Sequence, residues 1–342
     1  MSNTLTYSYS FVNGVFGDPV MEVVNKLNGS IYLFDLGDLK HYNAKSFNKV
    51  EFVFVSHTHM DHFCGFDHLL RARISSKKSL TFVGPKGLAQ QIQSKILGYT
   101  WNLIEPEQLS FIVYEIEDHH ATRMARFSKA SEFSFDYETI HLESLDVDAN
   151  TKVEFVALDH NGIDSIAYYV SFPDRINLIQ DKFETSGLAQ GPWMSELQKR
   201  YFNGELTSQI TIDENVYEAD KLFTELFSVK KENFIYVTDI GFTKENIQKI
   251  SARFSQTLVL FCETNFLSGD SDRAKNKAHL TTKYACLLGR YLQAEQLISF
   301  HYSSIYREKS DIQNEIDEYW NKFSKLSPQK LKELIERESY AN

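Results

Sequence analysis

Seven residues, Ser56-His57-Thr58-His59-Met60-Asp61-His62, constrain this chain more than any other stretch. They follow the apolar run Val50-Glu51-Phe52-Val53-Phe54-Val55, which reads as a buried strand of a mixed sheet. Phe63-Cys64-Gly65-Phe66-Asp67-His68-Leu69-Leu70 comes next, a glycine-relieved turn that continues as a helix. Three imidazoles and a carboxylate this close repel or dehydrate one another unless a cation holds them. Two ions resolve the crowding. His57 and His59 face one, while Asp61 and His62 turn back toward the other. The competing reading, a loop of accidental solvated histidines, does not account for this spacing.

With 342 residues the chain has room for one large α/β domain carrying an insertion. Aromatic residues make up 14% of it and favour strand-rich structure. The formal net charge of -10 argues against gripping nucleic acid over the whole surface, but leaves room for one basic patch or a metal-centred site. Cys64, Cys262 and Cys286 lack disulfide-framework or Cys-x-x-Cys spacing. The opening residues from Met1 to Tyr7 have neither a basic nor an apolar leader region, and no apolar run reaches transmembrane length. A soluble, cytoplasmic protein without membrane contact is expected.

Short strands near 5–12, 20–24 and 30–35 lead to the carboxylate-rich turn Asp35-Leu36-Gly37-Asp38 and then to the histidine loop. A strand at 80–83, a helix at 88–97 and a strand at 111–116 follow. The stretch from His119 to Asn150 is polar and reads equally as a hairpin or an ordered insertion. Its histidines, His119, His120 and His141, have no ligand-spaced partner and read as solvated or structural. Strands at 152–158 and 165–170 precede an interruption at about 173–220 that contains Gly191-Pro192 and a helix ending at Asn203-Gly204. The βα rhythm then resumes, and two packing helices separated by Ser327-Pro328 occupy about 310–340.

One regularity links distant parts of the chain. His160, Asp239, Glu263 and His301 each sit at or just past the end of a predicted strand, as the histidine loop does. Layered α/β proteins collect chemistry there because rigid strands position loop side chains. Singly, each has a plain structural explanation; Asp239, for instance, could cap the helix that follows it. Together with the histidine loop they supply seven donors. His57, His59 and His160 are assigned to one ion, Asp61, His62 and His301 to a second, and Asp239 to a bridge. Imidazole and carboxylate without thiolate suit Zn²⁺ or Mn²⁺. Two ions about 3.5–4 Å apart would share a hydroxide and clamp an in-line displacement, with single-ion occupancy the other arrangement.

His57-Thr58-His59-Met60-Asp61-His62 resembles the signature of the metallo-β-lactamase fold, an αββα sandwich of two mixed sheets flanked by helices. Cys262-Glu263-Thr264-Asn265-Phe266 looks like the His-Glu-Ala-Thr-Phe motif of ribonuclease Z, the endonuclease that trims precursor tRNA at its 3′ end. Ala278-His279-Leu280-Thr281 looks like that family's His-Ser-Thr element, and Phe300-His301-Tyr302-Ser303-Ser304-Ile305-Tyr306 like its Thr-His-Phe-Ser-x-Arg-Tyr. The resemblance runs from about residue 30 to 306. It implies that Asp61 is both ligand and acid/base group, and that His279, oriented by Glu263, protonates the leaving 3′-oxygen. It further implies that the interruption holding Gly191 and Pro192 is the arm that grips tRNA, and that the protein is a homodimer.

Several positions depart from the family pattern. Ile163-Asp164-Ser165-Ile166-Ala167-Tyr168 replaces Pro-Ser-Phe-Gly-Tyr, and Cys262 stands where the family has histidine. From Ser171 to Asn215 four basic side chains face seven acidic ones, a poor match to a phosphate backbone. A metal-dependent phosphodiesterase acting on precursor tRNA is therefore expected by resemblance. The alternative is a hydrolase of small phosphodiesters such as cyclic nucleotides, with the arm as a lid or dimer contact. A lactamase or thioesterase leaves Glu263 and His279 without a purpose. A di-iron oxygen reductase would want a carboxylate at His59. A non-catalytic scaffold leaves the separate proton donor unexplained.

Overall fold

The computed structural model describes residues 5–340; positions 1–4 of the N-terminal stretch and positions 341–342 lie outside the described residues. The chain divides into two compact units, Met1–Ser171 with Asn233–Asn342, and Phe172–Glu232.

The larger unit is built on two mixed sheets. Eight strands, from Tyr7–Phe11 to Tyr137–Leu142, lie side by side in sequence order. Ile31–Phe34, Val50–Phe54, Leu80–Pro85 and Ser110–Glu117 run parallel at its centre, with antiparallel pairs on either flank. The second sheet runs Gln296–Phe300, Val259–Glu263, Phe227–Val237, Ile163–Leu178, Thr151–His160, Ser144–Asp148. Parallel strands need crossovers, and helices supply them. Phe66–Ala72 and Leu88–Leu97 cover the first sheet through Phe66, Leu69, Leu88, Ile92 and Ile96. Lys244–Arg253, Thr282–Tyr291 and the C-terminal pair Lys309–Phe323 and Pro328–Glu338 cover the second through Ile247, Leu287, Ile312 and Leu331.

Between the sheets the packing is aromatic, which is where the high Phe and Tyr content goes. Phe34 meets Tyr168, Phe234 and Tyr236 at ring-centroid distances of 5.9, 5.4 and 5.3 Å. Fully burying one such ring stabilises the fold by about 1.5–3 kcal/mol. Tyr168 also donates its hydroxyl to the Val55 and Val83 carbonyls at 2.7 and 3.0 Å, tying one sheet to the ends of strands in the other.

The polar stretch 119–150, left open by sequence, is three strands. His120–Ser128 and Tyr137–Leu142 widen the first sheet, and Ser144–Asp148 edges the second. Tyr137–Leu142 is almost wholly exposed, so it carries none of the alternation that marks a half-buried strand.

The smaller unit contains Gly191, Pro192 and the rest of the stretch at 173–220. Helix Pro192–Asn203 starts on its proline and stops at Gly204, which takes the left-handed conformation at φ 71°. Trp193, Leu197, Phe223 and Phe227 form this unit's own core, with Tyr201 stacked on Phe223 at 5.0 Å. No helix among the described residues is long and apolar enough to cross a membrane.

Candidate metal centre

Strand ends in the larger unit deliver every donor predicted from sequence. Val50–Phe54 hands over to His57, His59, Asp61 and His62, and Thr151–His160 ends in His160. Asp239 and His301 follow Phe227–Val237 and Gln296–Phe300. The chain brings His57, His59, His160 and Asp239 within mutual ligand reach, and likewise Asp61, His62 and His301. Asp239 lies between the groups. Its Oδ2 is 3.2 Å from His62 Nε2, 3.8 Å from His57 Nε2 and 3.9 Å from His160 Nε2, and its Oδ1 is 3.2 Å from His301 Nε2. Asp61 Oδ2 stands 3.7 Å from His62 Nε2 and 3.8 Å from His301 Nε2. The cap of helix Lys244–Arg253 is Thr243, not Asp239, so the aspartate is free of that structural duty.

The backbone bends sharply to achieve this. Asp35, Asp239 and His301 all take positive φ, at 60°, 43° and 56°. A non-glycine residue held there costs roughly 1–3 kcal/mol, which the surrounding fold must offset.

The outward ring nitrogens of His57, His62 and His160 each have a fixed partner. His62 Nδ1 donates to Asp35 Oδ2 at 3.0 Å, and His160 Nδ1 to the Ala278 carbonyl at 2.9 Å. Ser56 Oγ donates to Asp35 Oδ1 at 2.8 Å and so accepts from His57 Nδ1 at 3.0 Å. These bonds fix the tautomers that leave Nε2 unprotonated and pointing inward, the arrangement metal-binding histidines use. The Nε2 atom of His57 is buried without a hydrogen-bond partner. Buried orphan nitrogens are costly unless something else satisfies them, and a cation does. The donor set fits a divalent metal.

Electrostatics agree for His57 and His59 and run the other way at His62. Burial, then the neighbouring imidazoles His62, His160 and His59, outweigh Asp239 and push His57 down to about 2, so its ring is neutral. Burial and His160 lower His59 as well. Burial works against charge on His62, yet Asp239 and Asp35 outweigh it and raise that ring. Asp239 resists its own burial because His301, His62 and His279 hold its carboxyl well below the usual range.

His279 stands beside the donors on a separate support. Its Nδ1 is 2.8 Å from Glu263 Oε2 and 3.8 Å from Asp239 Oδ1. Glu263 is fully buried and pinned, its other oxygen accepting from the backbone N–H of Ile240 at 2.9 Å and Leu280 at 3.3 Å. Burial pulls the His279 pKa down, but Glu263 and Asp239 prevail and raise it to about 9, so the ring is cationic at neutral pH.

Asp35 and Ser56 are the site residues that strand-end reasoning missed. Asp35 accepts from the Ser56 backbone N–H at 2.7 Å and from the Tyr236 hydroxyl at 2.8 Å besides orienting His62. The signal was present, since Asp35 follows directly on strand Ile31–Phe34. Gly191 and Pro192 belong to the smaller unit, where they help line a cavity of about 740 Å³ with Trp193, Glu196, Lys199 and Arg200. His119, His120 and His141 stack on one another at 4.0 Å, and among the described residues they join no metal-type cluster.

Comparison with known proteins gives the fold a family setting. The model of the beta-lactamase superfamily domain matches residues 33–164. Ribonuclease Z of Deinococcus radiodurans is 25% identical over 258 residues, covering 74% of this chain and 76% of that protein. Ribonuclease Z of Shouchella clausii is 26% identical over 299 residues, covering 84% of this chain and 82% of that protein. Among solved structures, the metallo-beta-lactamase fold protein YhfI from Bacillus subtilis superposes with a TM-score of 0.53 at 12% identity, covering 91% of this chain and 92% of that one. The chain has the metallo-β-lactamase fold, and the resemblance read from its motifs is borne out. The ribonuclease Z matches and the His/Asp clusters together support a metal-dependent hydrolase.

Proposed function

We propose that this protein is a phosphodiesterase of the ribonuclease Z type, cutting an RNA phosphodiester at the 3′ end of precursor tRNA. The observation that carries the reading is the His279–Glu263 pair at 2.8 Å beside Asp239. An RNA 3′-oxygen is a poor leaving group and departs readily only as it gains a proton. A cationic imidazole anchored by a buried carboxylate is a positioned proton donor. The relatives carrying the name ribonuclease Z support the same assignment.

His57, His59 and His160 would hold one ion, Asp61, His62 and His301 the other, and Asp239 both; two Zn²⁺ is the first choice and Mn²⁺ the second. Such ions, when bound, supply Lewis acidity and a water of lowered pKa. The chain does the rest. Asp61, whose side chain is 43% exposed, serves as ligand and acid/base group at the mouth. Asp35 and Ser56 keep His62 and His57 in the binding tautomer. His279 delivers the proton, and Glu263 keeps it charged and aimed. A homodimer in the cytoplasm goes with this reading.

A small-molecule phosphodiester such as a cyclic nucleotide is the second reading, favoured by the acidic excess of the arm, which then acts as a lid. One assay separates the two: metal-loaded protein is given 3′-extended precursor tRNA, a chromogenic phosphodiester and cyclic nucleotides, with Asp61→Ala as control. A single cut after the discriminator nucleotide, absent in the variant, is expected. Turnover of small esters with intact tRNA would move the protein to the second reading.

A further inference from the structure

The short helix Ser271–Lys277 reads Ser-Asp-Arg-Ala-Lys-Asn-Lys and leads directly into Ala278 and His279. Ala274 is its buried anchor, while Arg273, Lys275 and Lys277 are exposed. Among the described residues none of the three has a carboxylate within ion-pair distance. Lys275 rests over the Tyr340 ring at 5.4 Å. The smaller unit is acidic, with eleven carboxylates to seven cations, and three of those cations are paired: Arg200 with Glu196, Lys221 with Glu218 and Arg175 with Glu232.

This helix is fastened to the catalytic side at both ends. Its last turn leads to Ala278, whose carbonyl accepts from the ligand His160, and the His279 backbone N–H donates to Ala274 O at 2.9 Å. Toward its start, Arg273 lies within electrostatic reach of Tyr306, five residues past the ligand His301, whose hydroxyl bonds to Asp270. Arg273 and Lys277 are four residues apart, so they share a helix face about 6 Å apart along the axis. Attraction to the negative C-terminal pole of the helix explains Lys275 and Lys277 but not Arg273, which sits outside the last turn. At the corresponding place in the His301 loop, where the ribonuclease Z pattern has arginine, Ile305 stands exposed.

We propose that the Arg273–Lys277 face of this helix is the phosphate-gripping surface for RNA, holding backbone phosphates next to the scissile bond, and that the arm contributes little to this electrostatic hold. The inference rests on the RNA reading of the function and adds where the polyanion docks. Two cations on a rigid face fit successive phosphates, and their place beside His279 delivers the bond to the proton donor. The occupant is a phosphodiester chain. A single small ester is too short to span the face.

The test measures binding of a 3′-extended precursor tRNA transcript to metal-loaded protein across a range of salt concentrations. Wild type, R273Q/K277Q, R273K/K277R and the arm variant K199Q are compared. Each lost phosphate contact reduces the slope of log affinity against log salt by about 0.7–0.9. The double glutamine variant should lose about 1.5 from that slope and raise KM about tenfold or more at low salt with kcat kept. The charge-preserving variant should keep the wild-type slope, and K199Q should leave it unchanged. An unchanged slope in R273Q/K277Q, with wild-type melting and metal content, would overturn the proposal, as would an equal loss in K199Q. If wild type neither binds nor cuts the transcript yet hydrolyses a chromogenic phosphodiester, the RNA reading itself has failed, and this inference falls with it.

Discussion

The two units of this chain carry opposite kinds of information. The larger one spends buried charge, aromatic packing and strained backbone on one constellation: seven donors held by strand ends, with the outward ring nitrogens of His57, His62 and His160 fixed by named partners. The unit Phe172–Glu232 has a small core of Trp193, Leu197, Phe223 and Phe227 and an acidic surface on which Arg175, Arg200 and Lys221 are paired with carboxylates. Chemistry in this fold is written into rigid, locally dense sequence.

The sharpest way to break that contrast is Asp239→Ala. It removes the carboxylate common to all the donors, and we expect hydrolysis of every substrate to fall at least about a thousandfold with bound metal lost. Elemental analysis beside the assay checks this, and full metal content would refute the bridging role. His279→Ala should leave metal content intact and lower kcat by about 10²–10⁴ on RNA, with a smaller loss on an ester whose leaving group needs no proton. Equal losses on both substrates would remove His279 from the proton-donor role. Asp35→Asn should weaken metal affinity about 10–100-fold by loosening His62, measured by competition with a chelator. Glu263→Gln takes away the charge that raises His279, so the His279 pKa falls. The protonated donor is then lost at lower pH, and the alkaline limb of the kcat profile should move downward in pH. A limb that stays in place would mean another group sets it. Phe223→Ala should destabilise only the arm, by about 3–5 kcal/mol. Limited proteolysis would find cuts within 172–232, while small-ester turnover persists; collapse of that turnover would show that the two units are not separable in function.

Sequence alone made the constellation legible where the signal was local. The histidine loop is seven consecutive residues, and His160, Asp239, Glu263 and His301 share the rule that strand ends carry chemistry. Asp35 obeys the same rule, but its role depends on meeting His62, Ser56 and Tyr236, the last 201 positions away. No local pattern encodes that meeting. The strand Tyr137–Leu142 was invisible because an exposed edge imposes no alternation. Positive φ at Asp239 and His301 was hidden for another reason. Glycine usually marks that conformation, and glycine has no side chain to serve the proposed ligand role of these two positions.

Ala278 shows what such economy entails. Its own φ is 51°, its carbonyl is the partner of His160, and its successor is His279. One peptide therefore sets both how firmly the proposed metal ligand His160 is aimed and where the proposed proton donor His279 stands. Substitutions at 278 should move metal affinity and the pH optimum along a single correlated line. Variation that tunes one property at that position drags the other with it, and independent adjustment must come from Asp35 on one side or Glu263 on the other.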